Sequence, residues 1–138
     1  MEQLEQLERL TRTGRLDKTI RKMLLKTFPE EAKRTTLFCE YHANPTYVNG
    51  GWCRINKTTF LVNAATGARI QLDTAYNIPF APDYKMMGSV NAVLNFVLFF
   101  PPVPASWTTF HLIEECPDNP FVVKNIERNN KGVYNVTL

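Results

Sequence analysis

The sequence is short of the residue types that carry most small-protein chemistry. Two histidines, His42 and His111, and three cysteines, Cys39, Cys53 and Cys116, occur in 138 residues. An odd and sparse set of cysteines excludes a disulfide scaffold, and without a C-x-x-C pair a metal or redox site has little to build on. The thiols read first as small half-buried side chains, with a single Cys39–Cys53 bridge across neighbouring strands as the second reading. A Gly-rich phosphate loop is missing too, since "NGG" (49–51) and "ATG" (65–67) are turn chemistry. The longest apolar block, Phe96 to Phe100, runs into prolines well short of the roughly 18 apolar residues of a membrane span. The opening "MEQLEQLERL" has glutamates where a signal peptide needs a basic and then an apolar region. As written the chain reads as cytoplasmic, with a cell-envelope location if the native start differs.

The groups that are present do not converge on a reaction. Cys39 and His42 stand three apart in one predicted strand and so project to opposite faces. His111 and Cys116 are five apart, again an odd spacing. A thiolate–imidazole pair needs hydrogen-bond reach and zinc needs three or four ligands, so neither is expected. Glu114 and Glu115, as strand neighbours, diverge where a glycosidase pair must face each other. They read as a strand end returning to solvent. No catalytic residue, metal or cofactor is implied.

The net charge of +3 is unevenly placed. All of the excess lies before Thr35, and between Arg9 and Lys26 seven basic residues face Asp17 alone. Over residues 2–28, Leu4, Leu7 and Leu10, then Leu16, Ile20, Met23, Leu24 and Phe28, recur at helical spacing. Gly14 interrupts this pattern, and Pro29 stops it. The chain is therefore divided into a basic amphipathic helical segment, 1–34, and a second domain, 35–138. The narrow apolar stripe needs a partner surface, on the second domain or on another copy of the chain.

From Thr35 the texture changes to β-branched and aromatic residues. Seven strands are predicted, at about 35–43, 52–63, 67–73, 90–100, 107–115, 121–127 and 133–138. Turn-forming Gly, Pro, Asn and Asp separate them, including a long connection "TAYNIPFAPDYKMMGS" (74–89). Short strands joined this way argue for a sandwich or a partly open barrel, and the predicted fold is an antiparallel β-sandwich behind an N-terminal helix. "VNAVLNFVLFF" (90–100) is apolar on both faces, as a central covered strand is. Pro101, Pro102 and Pro104 cannot donate to a ladder, so a stiff corner follows, carrying the chain to another sheet from Trp107 onward.

The order of "TTLFCEYHAN" (35–44), "GGWCRINKTTFLVNAATGARIQL" (50–72), "NIPFAP" (77–82) and "FVLFFPPVPASWTTFHLIEE" (96–115) resembles a family of bacterial Ig-like β-sandwich domains of uncharacterised function. The W-x-R-I at Trp52 to Ile55, the I-P-x-x-P at Ile78 to Pro82 and the F-P-P-x-P at Phe100 to Pro104 carry the likeness together. Related domains often stand beside thioredoxin-like modules in envelope proteins. The resemblance implies a fold and no site residues. As written the chain holds no thioredoxin-like module, so a redox connection is expected to act in trans. Two glycosylation-type triplets, at Asn56 and Asn135, are made incidental by the bacterial resemblance.

Two surfaces could carry binding. One is the helical basic face of Arg9, Arg12, Arg15, Lys18, Arg21, Lys22 and Lys26, which reads first as a solvated outer face. A protein partner or homo-oligomer ranks ahead of nucleic acid and of an anionic membrane, because stacking aromatics and a Trp anchor are lacking. The other is formed by Tyr47, Tyr76 and Tyr84 in the two long connections, with Trp52 fitting core or surface equally. The expected function is a non-enzymatic binding or assembly module. A redox accessory, or a small enzyme using Cys39, Cys53 or Cys116, is the competing class.

Overall fold

The computed structural model of the chain describes residues 34–117 and 119–138. The helical segment expected over 2–28, with its basic face, lies outside these residues. Ten strands run in order among them: β1 (Thr35–His42), β2 (Trp52–Cys53), β3 (Thr59–Asn63), β4 (Arg69–Gln71), β5 (Thr74–Tyr76), β6 (Lys85–Met86), β7 (Val93–Phe100), β8 (Thr109–Glu114), β9 (Val122–Glu127) and β10 (Val133–Thr137). They form two four-stranded sheets, ordered β10-β1-β7-β5 and β4-β3-β8-β9, and a small β2-β6 ribbon. The chain is mainly β, and the two larger sheets share one hydrophobic core.

Strand alternation builds that core. In β1 and β7, Leu37, Cys39, Leu94, Phe96, Leu98 and Phe100 face inward and meet Leu61 of β3 and Phe110 and Leu112 of β8. Phe110 also meets Tyr134 of β10 edge to face, ring centroids 5.3 Å apart. The expected central strand is found: every residue of β7 from Leu94 to Phe100 is buried. The corner after it does switch sheets, since β7 and β8 lie in different ones.

Four expectations need correction. The single strand foreseen over 52–63 is broken, because Ile55 leaves the ladder to pair with Phe80 and the Asn56 N–H goes to a side chain. The long 74–89 connection holds two short strands, β5 and β6, that its prolines and glycine masked. Trp107 precedes its strand, its N–H being taken by the Pro104 carbonyl at 3.0 Å. The ladders are not all antiparallel: β10 pairs with β1 in parallel, Thr36 opposite Val133 and Glu40 opposite Thr137.

The sheets differ on their outer sides. On the β4-β3-β8-β9 sheet, Arg69 lies over the Phe60 ring, 3.6 Å from its centroid, and pairs with the exposed Glu115. On the β10-β1-β7-β5 sheet, Thr36, Phe38, Asn95, Val97 and Phe99 alternate with the core residues and are themselves buried.

Candidate functional site

A cleft of about 740 Å³ opens where the β2-β6 ribbon, the 44–51 loop and the connection after β8 meet. The ribbon is only two residues deep, yet it sorts its side chains by the usual alternation. Cys53 turns into the core at 3% exposure, while Trp52 stands opposite Met86 and both remain more than two-fifths exposed. Tyr84, on the same side of the ribbon as Met86, brings its ring to 5.7 Å from that of Trp52. The Arg54 guanidinium approaches the Trp52 ring at 4.7 Å and donates to the Pro82 carbonyl. Trp52 thus contacts a cation and a phenol while about half of it stays exposed.

The lip of the cleft is the loop carrying Tyr47 and Val48, folded as a short 3-10 turn over Val48–Gly50. Gly50 makes this placement workable. Its φ is +79°, and a Cβ there would stand 2.1 Å from the Ser89 carbonyl oxygen. The loop therefore rests backbone to backbone on the segment before β7. Tyr47 lies against Gly51, where the missing side chain leaves room for its ring.

The floor is formed by Tyr41, Cys53, Glu114 and Phe121. Tyr41 and Phe121 meet edge to face at 5.4 Å. Glu114, expected to be solvated, is 4% exposed. Its Oε2 accepts from the Asn56 backbone N–H at 2.8 Å and from Asn56 Nδ2 at 3.1 Å, and its Oε1 accepts from the Phe121 N–H at 3.0 Å. The carboxylate satisfies backbone donors that two loops would otherwise bury unpaired, which is why it turns inward while Glu115 turns out.

The cysteines are free thiols. Burial pushes Cys39 far above the ordinary thiol range. Burial also pushes Cys53 up to about 12, with the Glu114 carboxylate adding to the shift and Lys85 opposing it. The Tyr41 phenol is raised too, by burial first and then by Cys53 and Tyr47. Thiols held protonated in this way are poor nucleophiles. Cys116, partly buried, lines the cleft.

Of the sites expected from sequence, Tyr47 and Tyr84 are brought to this cleft region, and Trp52 joins them on the exposed side. Tyr76 does not: it lies in β5 opposite Val97, at the edge of the other sheet. His42 is exposed beside Glu40, and His111 Nδ1 accepts the Asn125 N–H at 3.0 Å between β8 and β9. Among the described residues, no group of three His, Cys, Asp or Glu side chains is placed to hold a metal, and no helix is long and apolar enough to cross a membrane. The cleft's amides, Asn44, Asn56 and Asn119, gave no sequence signal, because only the fold brings three separate loops together. The W-x-R-I and I-P-x-x-P motifs do meet: the Ile55 N–H donates to the Pro79 carbonyl and the Ala81 N–H to the Ile55 carbonyl. Neither a family model, nor a curated protein, nor a solved structure matches this chain.

Proposed function

We propose that the protein is a non-enzymatic binding module whose aromatic cleft takes an extended segment of a protein partner, on a domain of the bacterial Ig-like sandwich type. One observation carries the reading: Tyr47, Trp52 and Met86, all about half exposed, line one cleft, and the exposed Tyr84 packs against Trp52 beside it. Tyr and Trp give large contact area at little conformational cost and dominate the energetics of protein interfaces. The cleft's asparagines supply both donors and acceptors, which suits the alternating N–H and C=O of a peptide backbone. Arg54 is the one cation among the described lining residues, which gives little support to a phosphate-rich ligand. The competing thiol reading is disfavoured at Cys39 and Cys53 by their burial, which leaves Cys116 as its candidate.

A displayed library of linear peptides tests this. The full chain is expected to enrich a peptide class whose binding shifts the fluorescence of Trp52. The double variant Trp52→Ala, Tyr84→Ala, altering exposed side chains only, is expected to weaken that binding at least about tenfold with an unchanged Tm. Enrichment that survives the double variant, or binding confined to a glycan array, would overturn the reading.

A further inference from the structure

Phe38, Val97 and Phe99 raise a question that the two-sheet core does not answer. They are 2%, 0% and 5% exposed within a single chain, yet they point away from the shared core. Thr36 and Asn95, on the same side, are equally buried. The register places these residues together, Phe38 opposite Val97 and Thr36 opposite Phe99, on the outer face of the two central strands β1 and β7. Both the second sheet and the β2-β6 ribbon contribute to the core on the other side: Leu61, Phe110 and Leu112 from the sheet, Cys53 from the ribbon.

We propose that this face is the docking surface of the chain's own segment 15–28, lying across β1 and β7 as an amphipathic helix. The segment has the complementary chemistry. At about 100° per residue, Leu16, Ile20, Met23, Leu24 and Phe28 fall in one arc, and Arg15, Lys18, Lys22 and Lys26 fall in the opposite one. It is tethered in the right place, because Phe28 is joined to Thr35 at the start of β1 by residues 29–34. Six residues reach at most about 20 Å, and a layer packed on a sheet sits about 10 Å from it. A second copy of the chain is the rival occupant, but the burial is already complete within one chain. The basic arc then faces outward. The inference stands independently of the cleft, which lies at the β2-β6 ribbon and its neighbouring loops.

The test places a benzophenone amino acid at Ile20 in the full chain and irradiates a mixture of light and isotopically heavy protein. Adducts within one chain to peptides of 35–42 or 93–100 are expected, with none when the label replaces Lys22. Adducts joining light to heavy chains would give the face to a second copy, and adducts only to β3, β4 or β9 would place the segment elsewhere; either overturns the proposal. A second readout guards against a label that disturbs folding. Ile20→Glu is expected to lower the Tm by several degrees and to raise binding of a hydrophobic dye, while Lys22→Glu changes neither. An unchanged Tm for Ile20→Glu also overturns it.

Discussion

Glu114 shows how one side chain can join separate pieces of chain. Its carboxylate holds the backbone of Asn56 on one side of the cleft floor and that of Phe121 on the other. Removing it leaves two N–H groups without their protein acceptor. Glu114→Ala is therefore expected to lower unfolding free energy by roughly 1–3 kcal/mol for each orphaned donor, while Glu115→Ala, at an exposed pair with Arg69, changes it by less than about 1 kcal/mol. Urea titration of both variants decides this, and equal effects would contradict it. Nothing in the local sequence separates these two neighbours. Strand alternation says only that one must face in; which one depends on donors supplied 58 residues away by Asn56.

At the scale of elements, the longest strands were the most legible. β7 has apolar residues on both faces and three prolines just beyond it, and each feature maps onto what the chain does. The short ribbon strands were not legible, because two residues show no periodicity and their pairing depends on contacts between Trp52 and Met86 across a long loop. The parallel β10 was legible as a strand but not in direction, since period-two alternation is identical either way. Leu98 sits fully buried in β7 opposite both Leu37 and Ala75. Leu98→Ala is expected to cost about 2–5 kcal/mol through the cavity it leaves. Val122→Ala, half exposed at the start of edge strand β9, is expected to change stability by under about 0.5 kcal/mol. Similar losses in denaturant melts would show that β7 does not centre the core.

At the scale of the whole molecule, the buried thiols tie folding to alkaline pH. Cys39 and Cys53 ionise near 9 once exposed, whereas in the folded chain Cys53 ionises only at about 12 and Cys39 higher still. The unfolded chain therefore loses protons first. The stability these groups contribute is complete below pH 9 and falls as pH rises toward 12. Each thiol is expected to contribute a slope of at most about 1.4 kcal/mol per pH unit in that window. The Cys39→Ala, Cys53→Ala variant, less stable at neutral pH, is expected to show a shallower decline. An unchanged slope in urea melts from pH 8 to 11 would assign the effect to other groups.

The parallel pairing of β1 with β10 also sets an order of events. Thr36 finds Val133 only after about a hundred intervening residues have been synthesised. Until then β1 has a ladder partner on one side alone, and its other edge is a row of open donors and acceptors that any extended chain can fill. The domain begins with a strand that it can close only near its finish, so folding waits on distant contacts, and distant contacts form slowly. A nascent chain stalled before Val133 would present a sticky edge to its neighbours on the same messenger. The hazard for this protein lies less in the mature sheet than in the seconds before β10 arrives.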